Sequence, residues 1–185
     1  MADLDGWAAE VHLLPDGLPA PDEFAGPELV LDDVAPLPHA AVEPGDGPAT
    51  AWVLATSGTT GEPKRVRHTL ASLSRTVRGG DRAAALRWGL VYDPNRMAGL
   101  QVLLQGLVTG APVLDAGTTR PIAERATWLA SHGVSAMSAT PTLWRQLLQS
   151  PPVDGLDLRQ IALGGEIADQ LVLDALRARF PHAHI

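Results

Sequence analysis

From about residue 50, short apolar runs alternate with longer segments whose apolar residues recur every three or four positions. The short runs predict buried strands over 51–56, 88–92, 112–115, 134–137 and 158–163, with another strand opening at 182–185. The longer segments predict helices over 69–77, 97–108, 121–130, 141–148 and 169–180. Strands that alternate with helices of this length indicate right-handed βαβ units. The predicted fold class is therefore α/β, a mainly parallel sheet with helices on both faces.

The first 49 residues have a different composition. Half of the sixteen prolines fall between Pro15 and Pro48, together with four glycines. Proline removes a backbone donor, so long regular elements are not expected there, although 28–32 is typical of a short edge strand. We therefore divide the chain into a Pro-rich acidic lead-in, 1–49, and an α/β part, 50–185.

Charge is distributed unevenly along the chain. Twelve acidic residues precede the first basic residue, Lys64. From Lys64 onward there are fourteen basic and nine acidic residues, so this part of the chain has a net charge of +5 although the whole chain has −7. Two interpretations stay open: an anion-binding body beside an acidic flank, or a solvated acidic surface segment. Nucleic-acid binding is not predicted, because basic clusters with interleaved aromatic residues are missing from the sequence.

Length and composition exclude several classes of protein. A chain of 185 residues can form one domain with a real core, and no run approaches the ~18–20 apolar residues of a membrane span. The acidic start does not resemble a signal peptide, and without cysteine there is no disulfide or thiolate, so a cytoplasmic protein is expected. His182 and His184 offer two metal ligands without a third, so no metal site is predicted.

The segment that follows the first predicted strand carries the most specific chemistry. It comprises Thr56, Ser57, Gly58, Thr59, Thr60, Gly61, Glu62, Pro63 and Lys64. Two glycines let the backbone approach an anion, four hydroxyls add donors, and the lysine adds a positive charge, which together suit a polyphosphate. The segment is not a Walker loop, because Pro63 stands where the second glycine would be, and Ser57 lacks the flanking glycines of a nucleophile elbow.

These nine residues resemble the phosphate-binding signature of the adenylate-forming superfamily, which includes acyl- and aryl-CoA synthetases, adenylation domains of nonribosomal peptide synthetases, and luciferases. The family pattern specifies eight of the nine positions. Lys64 is also the only lysine beside thirteen arginines, so the ammonium group is kept where the family has it. The resemblance implies that the loop binds the phosphates of ATP and that Lys64 and Thr59 take part in catalysis.

The segment from Asp93 to Leu100 resembles the family's entry to the acyl-binding region, usually Pro-x-x-His-x-x-Gly-Leu. Arg96 occupies the histidine position, and Pro94 is one residue closer than usual. Two interpretations of Arg96 stay open. The side chain faces solvent and pairs with Asp93, or it lines the acyl pocket and selects a substrate with a second anionic or strongly polar group.

Two later segments extend the resemblance. Residues 138–143 resemble the segment before a substrate-lining helix, which places Thr140 beside the substrate and also makes it a good N-cap. Residues 158–166 resemble the strand and turn that border adenine, which implies nucleotide contacts from Gly164, Gly165 and Glu166. Glu166 has an alternative interpretation as a plain carboxylate at a helix start.

By resemblance, the activity is formation of an acyl-adenylate from ATP and a small carboxylic acid, with Mg²⁺ as cofactor and CoA as the acceptor of the acyl group. The family's metal-binding glutamate, ribose-binding aspartate and C-terminal catalytic lysine are expected beyond Ile185, so 50–185 would be part of an AMP-binding domain. The enzyme hypothesis therefore applies to a longer protein. The alternative is a non-catalytic split or truncated module that binds nucleotide or associates with itself or with a missing C-terminal half.

Overall fold

A computed structural model of the protein describes residues 10–13, 50–56 and 64–185. The chain divides into two compact units, Met1–Ser72 and Leu73–Ile185. In the first unit, β2 (Ala51–Thr56) lies between β1 (Glu10–Leu13), to which it is parallel, and β3 (Lys64–His68), to which it is antiparallel. The prediction of β2 is confirmed, whereas the strand predicted over 28–32 lies outside the described residues.

The second unit contains a parallel four-stranded sheet in the order β5-β4-β6-β7. Its strands are β4 (Trp88–Leu90), β5 (Val113–Asp115), β6 (Ala136–Ala139) and β7 (Gln160–Leu163). The helices after β3 are α1 (Leu70–Ser74), α2 (Asp81–Ala84), α3 (Met97–Thr109), α4 (Ile122–Ser131), α5 (Pro141–Leu148) and α6 (Gln170–Arg179), with a 3-10 helix at Pro151–Gly155. His184 forms an isolated parallel bridge to Gln160, where a further strand was predicted to open.

Helices cover both faces of the four-stranded sheet. On one face, Trp88 and Ala136 pack with Val102 of α3. On the other face, alternate strand residues pack against α4, α5 and α6 in a larger core that includes Met137, Ile161, Leu129, Trp144, Leu147, Val172 and Leu176. Because successive strand residues point to opposite faces, Ala136 and Met137 belong to different cores. The predicted α/β class with a parallel sheet is confirmed.

The predicted helices are present with small shifts at their ends. α3 ends at Thr109, and Gly110 adopts the left-handed conformation (φ 73°) that closes many helices. α1 ends at Ser74, three residues earlier than predicted, and Pro121 is the N-cap of α4 rather than its first helical residue. β3 was not predicted, because its sequence KRVRH is too polar to form an apolar run and its strand geometry comes from pairing with β2.

Candidate functional site

The candidate site of the second unit lies at the carboxyl ends of its parallel strands. β4 leads into Tyr92 and Asp93, β6 into Thr140, and β7 into Gly164. The chain passes from β4 to β5 on one side and then to β6 on the other, so β4 is the point at which the strand order reverses. Ligands of open parallel sheets bind outside the carboxyl ends of the strands at such a point.

The two glycines after β7 form an exposed turn, the glycine turn (Gly164–Gly165). Gly165 has φ +81°, a conformation that other residues rarely adopt. A Cβ placed there would lie 3.5 Å from the Thr140 side chain, whereas a Cβ at Gly164 would meet no atom within 4 Å. The turn therefore approaches Thr140 on one side and leaves open space beside Gly164.

Glu166 follows the glycine turn and reaches across to α5. Its Oε2 accepts hydrogen bonds from the Thr142 hydroxyl (2.6 Å) and from the Thr142 backbone N–H (3.0 Å). These two bonds, with smaller contributions from Thr140 and Arg145, hold the pKa of Glu166 below its usual value. The structure thus brings together Thr140, Gly164, Gly165 and Glu166.

The interpretation of Glu166 as a carboxylate at a helix start applies to α5 and not to α6, the helix that follows it in the chain. α6 begins at Gln170 and is capped by Asp169, whose Oδ1 accepts from the Val172 N–H at 3.0 Å. Glu166 instead lies at the first turn of the preceding helix, α5. A carboxylate in that position is favoured by the exposed N–H groups and the dipole of α5.

The predicted N-cap at Thr140 is confirmed. Its Oγ1 accepts from the Leu143 N–H at 3.1 Å, and Pro141 follows at the first helical position. Trp144 anchors the same helix to β7, since its indole N–H donates to the Ala162 carbonyl at 3.1 Å. The start of α5 is therefore fixed both to its own cap and to the sheet.

Arg145, one turn along α5, forms an ion pair with Asp169. Its Nη2 lies 2.7 Å from the Asp169 Oδ2. The Val172 N–H and, after it, Arg145 lower the pKa of Asp169. Asp169 thus links α5 to α6 while capping the latter.

Two further polar residues, one after β4 and one on α4, lie near the carboxyl end of β4 without a motif in the sequence that marks them. Tyr92, the chain's single tyrosine, lies two residues after the end of β4 and is half-buried. Burial raises the pKa of Tyr92, a hydrogen bond with Ser138 opposes this, and the charge of Glu166 raises the pKa further. The Arg125 guanidinium of α4 is buried and donates to the Val91 carbonyl. Burial lowers the pKa of Arg125, and the negative charge of Asp115 opposes this. The apolar periodicity of α4 does not indicate that an arginine on this helix is buried.

Arg96 lies on a different segment from the glycine turn. It is the N-cap of α3, and its Nε lies 3.5 Å from the Asp93 Oδ2, with about half of its side chain exposed (52%). Asp93 also accepts from the Asn95 N–H at 2.9 Å, which fixes the carboxylate. The geometry agrees with the solvent-facing interpretation of Arg96 and leaves its guanidinium accessible.

In the first unit, the two ends of the Ser/Gly/Thr loop are held together. Thr56 pairs with Lys64 across β2 and β3, and the Thr56 hydroxyl donates to the Lys64 carbonyl at 3.1 Å. Both residues are exposed. The residues Ser57, Gly58, Thr59, Thr60 and Gly61 lie outside the described part of the chain.

The described part of the chain contains neither a cluster of metal-binding side chains nor a membrane-spanning helix. Over 10–13, 50–56 and 64–185, no three His, Cys, Asp or Glu side chains are grouped so that they could hold a metal ion. In the same part of the chain, no helix is long and apolar enough to cross a membrane.

Comparisons with known proteins agree on one family. Residues 4–185 match the family model described as AMP-binding enzyme. The chain is 30% identical over 174 residues to a dimodular nonribosomal peptide synthase of Bacillus subtilis (strain 168). The aligned region covers 85% of the chain and 7% of that protein. The chain is 29% identical over 133 residues to syringomycin synthase SyrB1 of Pseudomonas syringae pv. syringae, covering 68% of the chain and 22% of that protein.

Solved structures show the same fold. VinN in complex with L-aspartate is 25% identical with a TM-score of 0.54, over 71% of this chain and 34% of VinN. The o-succinylbenzoate coenzyme A synthetase of Bacillus subtilis, in complex with ATP and magnesium ion, is 23% identical with a TM-score of 0.54, over 69% of this chain and 28% of that enzyme. The chain thus spans about a third or less of the length of each of these relatives. Because the family model matches almost every residue, the chain belongs to the AMP-binding enzyme family, whose members are adenylate-forming ligases.

Proposed function

We propose that this chain supplies the nucleotide-binding part of a ligase that uses ATP to activate a carboxylic acid. The observation that carries the proposal is the pairing of Thr56 with Lys64, which joins the two ends of the phosphate-binding signature. A loop closed in this way can direct backbone N–H groups, hydroxyls and one ammonium group toward a single anion. A solved structure of similar fold that holds ATP and magnesium ion supports this assignment.

The proposed reaction is an adenylyl transfer. A carboxylate oxygen of the acid attacks the α-phosphorus of ATP, an oxygen–phosphorus bond forms, and the bond to the bridging oxygen breaks as pyrophosphate leaves. Negative charge develops on the phosphate oxygens, where Lys64, the loop N–H groups and the hydroxyls of Thr59 and Thr60 would stabilise it. Mg²⁺ would neutralise phosphate charge, and the resemblance assigns its glutamate ligand to a segment beyond Ile185.

By resemblance, the strand edge of the second unit would contribute contacts of its own. The open space beside Gly164 suits a flat group lying over the glycine turn, so we assign adenine to this surface. Thr140 would face the acid, and the accessible guanidinium of Arg96 would contact an acid that carries a second polar group. The acid is a small one, as in the aspartate complex of VinN. We propose CoA as the final acceptor, whose thiol sulfur attacks the acyl carbonyl carbon while AMP leaves with the bonding electrons.

The test is ATP–pyrophosphate exchange by the polypeptide that the complete reading frame encodes, measured with a panel of carboxylic acids. Exchange that depends on one class of acid supports the proposal. A second assay offers CoA or a carrier-protein thiol to the loaded enzyme. The thioester formed distinguishes a CoA ligase from a peptide-synthetase adenylation domain, the alternative that the curated relatives favour.

Substituting Arg96 by leucine tests whether it selects the acid. If its accessible guanidinium binds a second polar group of the substrate, Arg96→Leu should lose activity with oxo- and dicarboxylic acids about tenfold or more and retain activity with plain alkyl acids. The control is Arg82→Leu, an exposed arginine on α2. Equal acid preferences in wild type and Arg96→Leu would leave Arg96 as a surface residue paired with Asp93.

The 185-residue chain alone is expected to form no acyl-adenylate with any acid. It contains a single lysine, assigned to the phosphates, so the second catalytic lysine of the family has no counterpart in it. Mass spectrometry of reactions with ATP, Mg²⁺ and the acid panel measures this directly. Turnover by the pure chain would contradict the expectation, whereas binding of ATP without turnover would favour the non-catalytic module as its role in isolation.

A further inference from the structure

Four hydrogen-bonded links join α5 to the residues that end β7 and precede α6. Two run from Thr142 to Glu166, one from Trp144 to Ala162, and one from Arg145 to Asp169. Thr142 and Arg145 are three residues apart on one face of the helix, and their partners are also three residues apart. The segment between β7 and α6, which contains the glycine turn, therefore runs alongside α5.

We infer that Glu166 is a positioning residue: through Thr142 it holds the glycine turn against the start of α5, so that the turn and Thr140 form one rigid wall. The inference rests on the proposed function, which assigns adenine to the glycine turn and the acid to Thr140. Glu166 would then act on nucleotide binding through α5 and not by contact with the nucleotide.

The hydrogen bonds at the start of α5 show why a carboxylate belongs there. The first N–H groups of a helix have no partner within it. Pro141 has no N–H, the Leu143 N–H is bonded by Thr140, and the Trp144 N–H is bonded by the Thr140 carbonyl. The remaining donor is the Thr142 N–H, which Glu166 accepts at 3.0 Å. Glu166 completes the cap of α5 from a distant part of the chain.

The backbone of the glycine turn is itself tied to β6 by a long hydrogen bond, 3.4 Å from the Gly164 N–H to the Ala139 carbonyl. Gly164 is exposed, with no atom within 4 Å of the position of a Cβ, and Gly165 has a φ of +81°, which other residues rarely adopt. Two glycines in sequence lose much conformational entropy when they are fixed in one conformation. The hydrogen bond of 2.6 Å from the Thr142 hydroxyl to Glu166, the residue that follows the turn, supplies the restraint.

The kinetic test compares variants of the polypeptide encoded by the complete reading frame. Glu166→Ala and Thr142→Val should each raise KM for ATP about tenfold, as expected for the loss of a hydrogen bond to a charged group, with kcat changed little. Thr142→Ser keeps the hydroxyl and should behave as wild type. Glu166→Ala removes both hydrogen bonds, whereas Thr142→Val removes only the one from the hydroxyl, so the double variant should be no worse than Glu166→Ala alone.

A second test uses the 185-residue chain and does not depend on activity. Carboxyl titration of Glu166 by NMR should give a pKa below 4.5 in wild type and a higher value in Thr142→Val. The carboxylate is stabilised only in its charged form, so this contribution to stability is present above pH 4.5 and is lost as the pH falls through the pKa of the folded state. The difference in Tm between wild type and Thr142→Val should therefore disappear at acidic pH. Arg145 and Tyr92 are the other titratable side chains that act on or are affected by this carboxylate.

The outcomes separate this inference from the proposed function. No exchange by the wild-type protein with any acid counts against the proposed function, and the titration still decides whether Glu166 is linked to Thr142. An ordinary pKa for Glu166 in wild type overturns the inference. A KM for ATP that rises in Glu166→Ala but equals that of wild type in Thr142→Val also overturns it, because the bond from the Thr142 hydroxyl would then have no effect on nucleotide binding.

Discussion

Replacing Lys64 by alanine should lower the rate of ATP–pyrophosphate exchange about 100-fold or more, while Tm stays within about 1 °C of wild type. Removal of one donor to a developing anion typically costs this much in rate. Lys64 is exposed at the first position of β3, and exposed side chains contribute little to the free energy of unfolding. Exchange kinetics and thermal melts of the same preparations measure both quantities.

The matched control is Arg65→Ala. Arg65 is the next residue of β3, is also exposed, and carries the same charge, but lies outside the nine-residue signature. Its substitution should leave exchange unchanged apart from small effects of net charge. If both variants lost activity equally, the loss would reflect general electrostatics of β3, and the specific assignment of Lys64 to the phosphates would be wrong.

Replacing Gly99 by alanine should destabilise the protein by about 2–3 kcal/mol and lower Tm by more than about 5 °C. A Cβ on Gly99 would overlap the Asp93 carbonyl and lie 2.9 Å from the Pro94 Cα. Backbone atoms cannot move aside as a flexible side chain can, so α3 or the segment before it must shift. Thermal or denaturant unfolding of the 185-residue chain measures the effect.

The control for this substitution is Gly79→Ala. A Cβ at Gly79 would meet no atom within 4 Å, and its φ is not in the left-handed region, so little change in Tm is expected. A Gly99→Ala variant as stable as Gly79→Ala would show that the close approach of α3 to the Asp93–Pro94 backbone is not a constraint on this fold.

The sequence predicted the four strands of the second unit and the helices α3 to α6, because each of these buries apolar residues. It did not predict α2, which buries no residue. Met137 and Ile161 lie in short apolar strands, and Trp144 and Leu147 recur at helical spacing on α5. β3 was missed because its side chains are polar and exposed, and only the pairing with β2 makes it a strand. Local periodicity contains no information about such pairing.

The candidate site was predictable where it depends on local motifs. Thr140 before Pro141 indicated a helix cap, and the glycines after β7 indicated a turn. The link from Glu166 to Thr142 was not predictable, because it joins residues 24 positions apart in sequence that meet only when β6 and β7 pair. The same holds for Arg125, whose contact with the Val91 carbonyl depends on how α4 packs against the sheet.

The most direct test of the central claim is the identity of the phosphorus products. The polypeptide encoded by the complete reading frame is incubated with ATP, Mg²⁺ and the preferred acid, and the products are followed by phosphorus NMR and mass spectrometry. Adenylation predicts pyrophosphate and an acyl-adenylate in equal amounts, with both formed about 100-fold more slowly by Lys64→Ala. Acid-dependent release of ADP and orthophosphate would place the cleavage between the β- and γ-phosphates and contradict the account.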